Sequence, residues 1–176
     1  MPQYFPSRPQ RLLELQFPDL ARCVLVTAKG MPDLATRAFI STLTTAFPHL
    51  AGAVLLLVDW NPAGVQIATI YRYGSHCMGL ESPRYALPGL RWLGVRACML
   101  GEADGGAFQA LTPRDRALIG SLSTTLRDAN PAWVVELAQM GASGSKAEIE
   151  AVYGVCGGGA GFTELLLECM ERGDAI

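Results

Sequence analysis

From residue 23 to residue 75 the chain alternates short apolar runs with polar loops. The β-branched run Val24-Leu25-Val26 predicts a buried strand over residues 23–27. Lys29-Gly30 reads as the turn after it, and Pro32 suits the first turn of a helix. Leu34, Phe39, Leu43 and Phe47 then recur at helical spacing up to Pro48, predicting a helix. A second apolar run over residues 52–58 predicts a second strand. Asn61-Pro62-Ala63-Gly64 reads as a turn, with a helix from Val65 to Tyr71. Residues 90–95 give a weaker third strand. Two strand–loop–helix units in succession imply a parallel sheet with right-handed crossovers, and continuous apolar strands fit a sheet covered on both faces. Such sheets present their chemistry in loops at the carboxyl ends of the strands.

Beyond residue 100 the pattern becomes helical. Thr112-Pro113-Arg114-Asp115 carries a complete start signal: an N-cap threonine, proline at the first position and an acid three residues on. Leu118, Leu122 and Leu126 continue that helix. Further helices are predicted over residues 131–140, 146–153 and 162–171, with a glycine-rich break at residues 157–161. Near the amino end, residues 11–17 have a helical pattern that Pro18 should stop, and the proline-rich residues 1–10 read as a poorly ordered arm. The expected organisation is an arm and short helix over residues 1–19, then one α/β domain over residues 20–176. Its second half packs as helices around the same core.

Composition narrows the function classes. Half of the 176 residues are hydrophobic and 17% are charged, which fits a packed globule. Fourteen basic against sixteen acidic residues give a formal net charge of −2, so overall charge lends nucleic-acid binding no support. Arg72, Arg84, Arg91 and Arg96 nevertheless fall in a short span. The five cysteines form no CxxC pair and only two histidines are present, which argues against a zinc site. Their odd number and the lack of a leader-like segment lead us to expect a reducing, intracellular compartment. No apolar run approaches the roughly 20 residues that span a bilayer, so no membrane partner is expected.

Asp59 carries the sharpest chemical signal. A carboxylate just past a buried strand can hold Mg²⁺, which needs only one or two protein carboxylates and keeps several waters. The position two residues on, Asn61, offers an oxygen without charge. Taken alone, Asp-x-Asn-Pro also reads as a loop that shapes a turn. Lys29, beside a helix amino end, and Arg37 could contact phosphate; in isolation they read as a solvated turn lysine and a helix-face arginine. Arg72, Tyr71, Tyr73 and His76 could include a nucleophile or DNA contacts, although tyrosines near a Gly-Ser turn more often pack and no base nearby marks a nucleophile. Lys146, Glu148 and Glu150 look like a solvated helix face, and the 157–161 glycines match no phosphate loop.

In order, the blocks Val26-Thr27-Ala28-Lys29-Gly30-Met31-Pro32-Asp33 with Thr36-Arg37, Val58-Asp59-Trp60-Asn61-Pro62-Ala63-Gly64 and Tyr71-Arg72-Tyr73-Gly74-Ser75 resemble the toprim domain of the topoisomerase VI A-subunit family. Trp92-Leu93-Gly94-Val95, Leu111-Thr112-Pro113-Arg114-Asp115-Arg116, Lys146-Ala147-Glu148-Ile149-Glu150 and Gly173-Asp174-Ala175-Ile176 continue the likeness, which covers about residues 20–176. The resemblance implies a toprim-like parallel sheet with flanking helices and a helical carboxyl-terminal part. In that family a winged-helix domain bears a tyrosine that attacks a DNA phosphodiester and forms a 5′-phosphotyrosyl link. The toprim acids hold Mg²⁺, and two protomers cut opposite strands. The resemblance therefore implies DNA, a homodimer and a B-type subunit or its meiotic counterpart as partners, a nuclear location in a eukaryote, and a role in starting meiotic recombination. It implies Asp59 and Asn61 at the metal, and Lys29, Arg37 and Arg72 at DNA.

Three departures shape the expectation. No winged-helix domain and no matching tyrosine are found in this sequence. The family's glutamate on an earlier strand has no counterpart, since residues 1–10 contain none. Asn61 stands where the family has its second acid. Mg²⁺ is accordingly expected to bind weakly or not at all, and the isolated chain to be inactive. The alternative is a catalytically inactive dimerisation or scaffold module of the same fold. An unrelated flavodoxin-like or Rossmann-like anion binder lacks a GxGxxG loop and leaves residues 71–75 unexplained.

Overall fold

The computed structural model describes residues 8–74, 83–101 and 105–176. His76, part of residues 1–10 and part of the loop over residues 101–106 lie outside the described residues. The amino end forms two short helices, α1 (Arg8–Glu14) and α2 (Phe17–Leu20). Pro18 does not stop a helix. It occupies the first turn of α2, where its missing N–H is harmless.

Residues 23–27 form no strand. A strand needs a ladder partner as well as propensity, and here Val24 is 72% exposed and Val26 42% exposed. Helix α3 (Leu34–Ala46) starts two residues after Pro32, which lies just outside it. Asp33 is its N-cap, accepting the Thr36 N–H at 2.6 Å. Of its helically spaced apolar residues Phe39 is 54% exposed, while Arg37 is its buried residue.

The parallel sheet is made one unit later. β1 (Leu55–Leu57) leads through α4 (Pro62–Tyr73) to β2 (Arg91–Gly94), pairing Leu55 with Arg91 and Leu56 with Trp92. A register shift between Leu56 and Leu57 brings Leu57 opposite Gly94. Asn61-Pro62-Ala63-Gly64 is thus the beginning of α4 and not a free turn. Asn61 caps it by accepting the Gly64 N–H at 2.7 Å, with Pro62 at the first position. On the far edge of β2, Ile176 exchanges both backbone hydrogen bonds with Trp92.

β3 (Phe108–Ala110) precedes α5 (Pro113–Leu126) and α6 (Pro131–Ser143). Thr112 and Asp115 form the capping box that the sequence indicated, each accepting the other's backbone N–H. Gly144, at φ 69°, ends α6 in the left-handed region and turns the chain into β4 (Ser145–Ala147), antiparallel to β3. Lys146 therefore lies in a strand, contrary to the expected helix over residues 146–153. Helix α7 (Ile149–Val155) begins three residues later, and α8 (Gly159–Arg172) closes the fold. One apolar cluster joins both halves, with Trp92, Trp133, Val95, Leu137, Met140 and Phe162 at or near full burial. Among the described residues, no helix is long and apolar enough to cross a membrane.

Candidate metal and nucleic-acid site

β1 runs out at Leu57, and after Val58 the residues Asp59-Trp60-Asn61 are all pinned. In an extended backbone alternate side chains face opposite ways, so Asp59 and Asn61 share one side and Trp60 takes the other. Trp60 is buried, and its indole N–H donates to Glu136 Oε2 at 2.7 Å. The same oxygen accepts the backbone N–H of Ala97 at 3.0 Å, and the Trp60 ring meets Phe108 edge-on. The Trp60 carbonyl accepts the Ala147 N–H at 2.9 Å, forming an isolated antiparallel bridge.

Asp59 is half-buried, and its Oδ1 accepts the Ile149 N–H at 2.9 Å. An ideal Cβ at Gly64 would run into the Asp59 carbonyl, so this glycine lets α4 start directly against the end of the strand. Asn61 spends its side-chain oxygen on the Gly64 N–H. A hard cation with retained waters can be held by one carboxylate, and Asp59 fits that part. Asn61 fits a helix cap better than a ligand. Among the described residues no group of three or more His, Cys, Asp or Glu is placed to hold a metal ion.

The expected DNA contacts divide. Lys29 is exposed in a left-handed turn at φ 55°, with its own N–H on Thr27 Oγ1 at 3.1 Å. Arg37, expected at DNA, is fully buried. Burial pushes its guanidinium below the usual arginine range, partly offset by the nearby Tyr71 hydroxyl. Arg72 is also committed inward. Its Nη1 donates to the Leu90 carbonyl at 2.7 Å, and its guanidinium lies 5.6 Å from the Trp133 ring centre. Of the remaining span, Arg96 is buried with Nε on the Leu93 carbonyl at 3.2 Å, and Arg91 reaches the Gly52 carbonyl at 3.4 Å. The arginine run is largely structural.

Two groups escape a reading of the sequence. Glu136 sits unmarked within a predicted helix; its signal is a lone acid inside the apolar run Val134-Val135-Glu136-Leu137. Lys146 is expected on a solvated face, yet its Nζ sits 2.9 Å from Asp115 Oδ2 with both side chains largely covered. The Lys146 ammonium is the main cause holding the Asp115 carboxyl down to about 2, with the Thr112 N–H and hydroxyl adding and burial opposing. A carboxyl depressed on folding stabilises the fold fully above its ordinary value of 3.8, and the contribution disappears as pH falls towards 2. We expect this group to contribute about 1–2 kcal/mol after solvent screening. Acid unfolding of Asp115→Asn, compared with the parent between pH 4 and pH 2, should show a correspondingly flatter stability profile.

An open depression of about 330 Å³ lies beside Trp60, lined by Ala97, Leu100, Phe108, Ser143 and Ser145 among others. Among the described residues its lining includes no carboxylate.

Residues 7–156 match the family model for the topoisomerase 6 A-subunit/Spo11 toprim domain. The chain is 45% identical over 146 residues to meiotic recombination protein SPO11-2 of Oryza sativa subsp. indica, covering 82% of this chain and 36% of that protein. It is 37% identical over 147 residues to meiotic recombination protein SPO11 of Homo sapiens, covering 81% and 36%. To the A-subunit of DNA topoisomerase 6 from Arabidopsis thaliana it is 36% identical over 146 residues, covering 81% and 33%. The chain thus spans about a third of the length of these curated relatives. A parallel β1–α4–β2 unit ending in a pinned carboxylate, with that agreement across most of its length, makes this chain a member of the topoisomerase 6 A-subunit/Spo11 toprim-domain family.

Proposed function

We propose that this chain is the toprim part of a DNA-cleaving machine of the meiotic branch. In this reading Asp59 holds Mg²⁺ and Lys29 meets the DNA backbone. The observation that carries it is the position of Asp59, just beyond the carboxyl end of a parallel strand and tethered by the Ile149 N–H. When bound, Mg²⁺ would stabilise charge on a DNA phosphate. The protein's own contribution is to hold one carboxylate in place and to present a lysine from an exposed turn. The attacking tyrosine belongs to a winged-helix domain outside this chain. The complete assembly would be a dimer acting with a B-type subunit or its meiotic counterpart, in the nucleus of a eukaryote, where double-strand breaks start recombination.

The scaffold reading keeps one specific support: Asn61 caps α4, which leaves one carboxylate where two would hold the ion more firmly. DNA binding separates the two. Fluorescence anisotropy of a labelled duplex titrated with the chain in Mg²⁺ should show Lys29→Ala weakening binding uniformly across sequences. The slope of log affinity against log salt should fall by about one. Binding that is unchanged in the Lys29 variant, or absent in the parent, favours the scaffold.

A further inference from the structure

We propose that Lys146 is a positioning residue for the Asp59 carboxylate, acting from its ion pair with Asp115 through the strand that follows. β3 and β4 are each three residues long, and a two-stranded ribbon of that size has little stability of its own. Its place is fixed from outside. Asp115 Oδ2 accepts the Thr112 N–H at 2.9 Å, the Thr112 hydroxyl at 2.8 Å and the Lys146 ammonium at 2.9 Å, so the start of α5 grips β4 by one oxygen. The neighbour of Lys146, Ala147, is 1% exposed and donates to the Trp60 carbonyl. Two residues on, Ile149 donates to Asp59 Oδ1. Lys146 and Ile149 are three residues apart, about 10 Å of extended chain. A displacement at the ion pair therefore has few soft joints before it reaches the carboxylate.

An exposed lysine–aspartate pair would contribute little. This one differs because its side chains keep 21% and 16% exposure, and because the aspartate is already fixed by the capping box. The inference deepens the reading of Asp59 as a metal carboxylate and rests on it for what Asp59 holds, but not for how Asp59 is held.

Amide hydrogen exchange by NMR tests the two separately. In Lys146→Met, which keeps the apolar stem and removes the charge, the Ile149 and Ala147 amides should exchange about tenfold faster, while Leu137 in α6 is unchanged. Lys146→Arg should restore protection. Asp115→Asn should reproduce the Lys146→Met pattern. In Asp59→Ala, which removes the acceptor oxygen, Ile149 alone should lose protection. Mn²⁺ titration, followed by paramagnetic broadening near Asp59, should weaken several-fold in Lys146→Met and recover in Lys146→Arg. Unchanged Ile149 protection in Lys146→Met overturns the proposal. So does equal acceleration of Leu137, which would make the pair a general stabiliser. If Mn²⁺ leaves the parent spectrum unaffected, the metal reading of Asp59 fails, and Ile149 exchange still decides the positioning role.

Discussion

Trp133→Ala should lower the free energy of unfolding by about 3–5 kcal/mol, the largest single effect expected in this chain. Trp133 is fully buried where four parts of the fold meet. Its ring stands edge-on to Trp92 of β2, with centroids 6.2 Å apart, and edge-on to Tyr73 of α4 at 6.3 Å. Arg72 lies over it, and its indole N–H donates to the Ile176 carbonyl at 3.2 Å. Truncation opens a cavity between the sheet and α4 and removes one of the two donors to the Ile176 carbonyl. Urea unfolding should show the midpoint fall with little change in slope. Trp133→Phe keeps the edge contacts and loses the N–H, so its effect should be markedly smaller. Equal effects of the two variants would mean that ring volume is not what holds the centre together.

Glu136→Ala should cost about 3 kcal/mol and loosen the Asp59 loop as well. One carboxyl oxygen serves two donors, the buried Trp60 indole and the half-buried Ala97 amide. Leaving a buried donor without its acceptor costs about 1–3 kcal/mol. Trp60 lies between Asp59 and Asn61, so freeing its ring loosens the backbone that places both. Chemical denaturation gives the stability change, and near-ultraviolet circular dichroism should report the loss of fixed tryptophan packing. Glu136→Gln keeps an acceptor oxygen and should fall between parent and alanine. An alanine variant as stable as the parent, with unchanged tryptophan signals, would show that the acid is dispensable.

The sequence is most legible where the signal is local. Thr112 and Asp115 sit three residues apart and satisfy each other, so the start of α5 can be read directly. The run over residues 52–58 reads as a strand, which forms over Leu55–Leu57, and Asp59 as the acid just past it. Asn61-Pro62 suggests a turn, although asparagine followed by proline is also a helix-start pair. Where tertiary partners decide, local signal fails. Residues 23–27 have strand-forming residues but no ladder. Lys146-Ala147-Glu148 favours helix by propensity, yet pairing of β4 with β3 and the Trp60 bridge draw it into a strand. For α3, helical spacing marks the helix but not its face: it buries Arg37 beside Tyr71 and leaves Phe39 outside. The inward turn of Arg72 onto Leu90 and Trp133 joins distant parts of the sequence and leaves no local mark.

If Asp59 holds a divalent cation in the folded chain, that cation must stabilise the fold. Thermal unfolding across a Mg²⁺ titration, for the parent and for Asp59→Asn, measures this without intermediary. A cation bound only by the folded state, at about five times its Kd, adds about 1 kcal/mol and raises the melting temperature of a chain this size by about 2–4 °C. We expect that rise in the parent and a flat response in Asp59→Asn. Equal responses in both proteins, or none in the parent, would contradict a cation at Asp59.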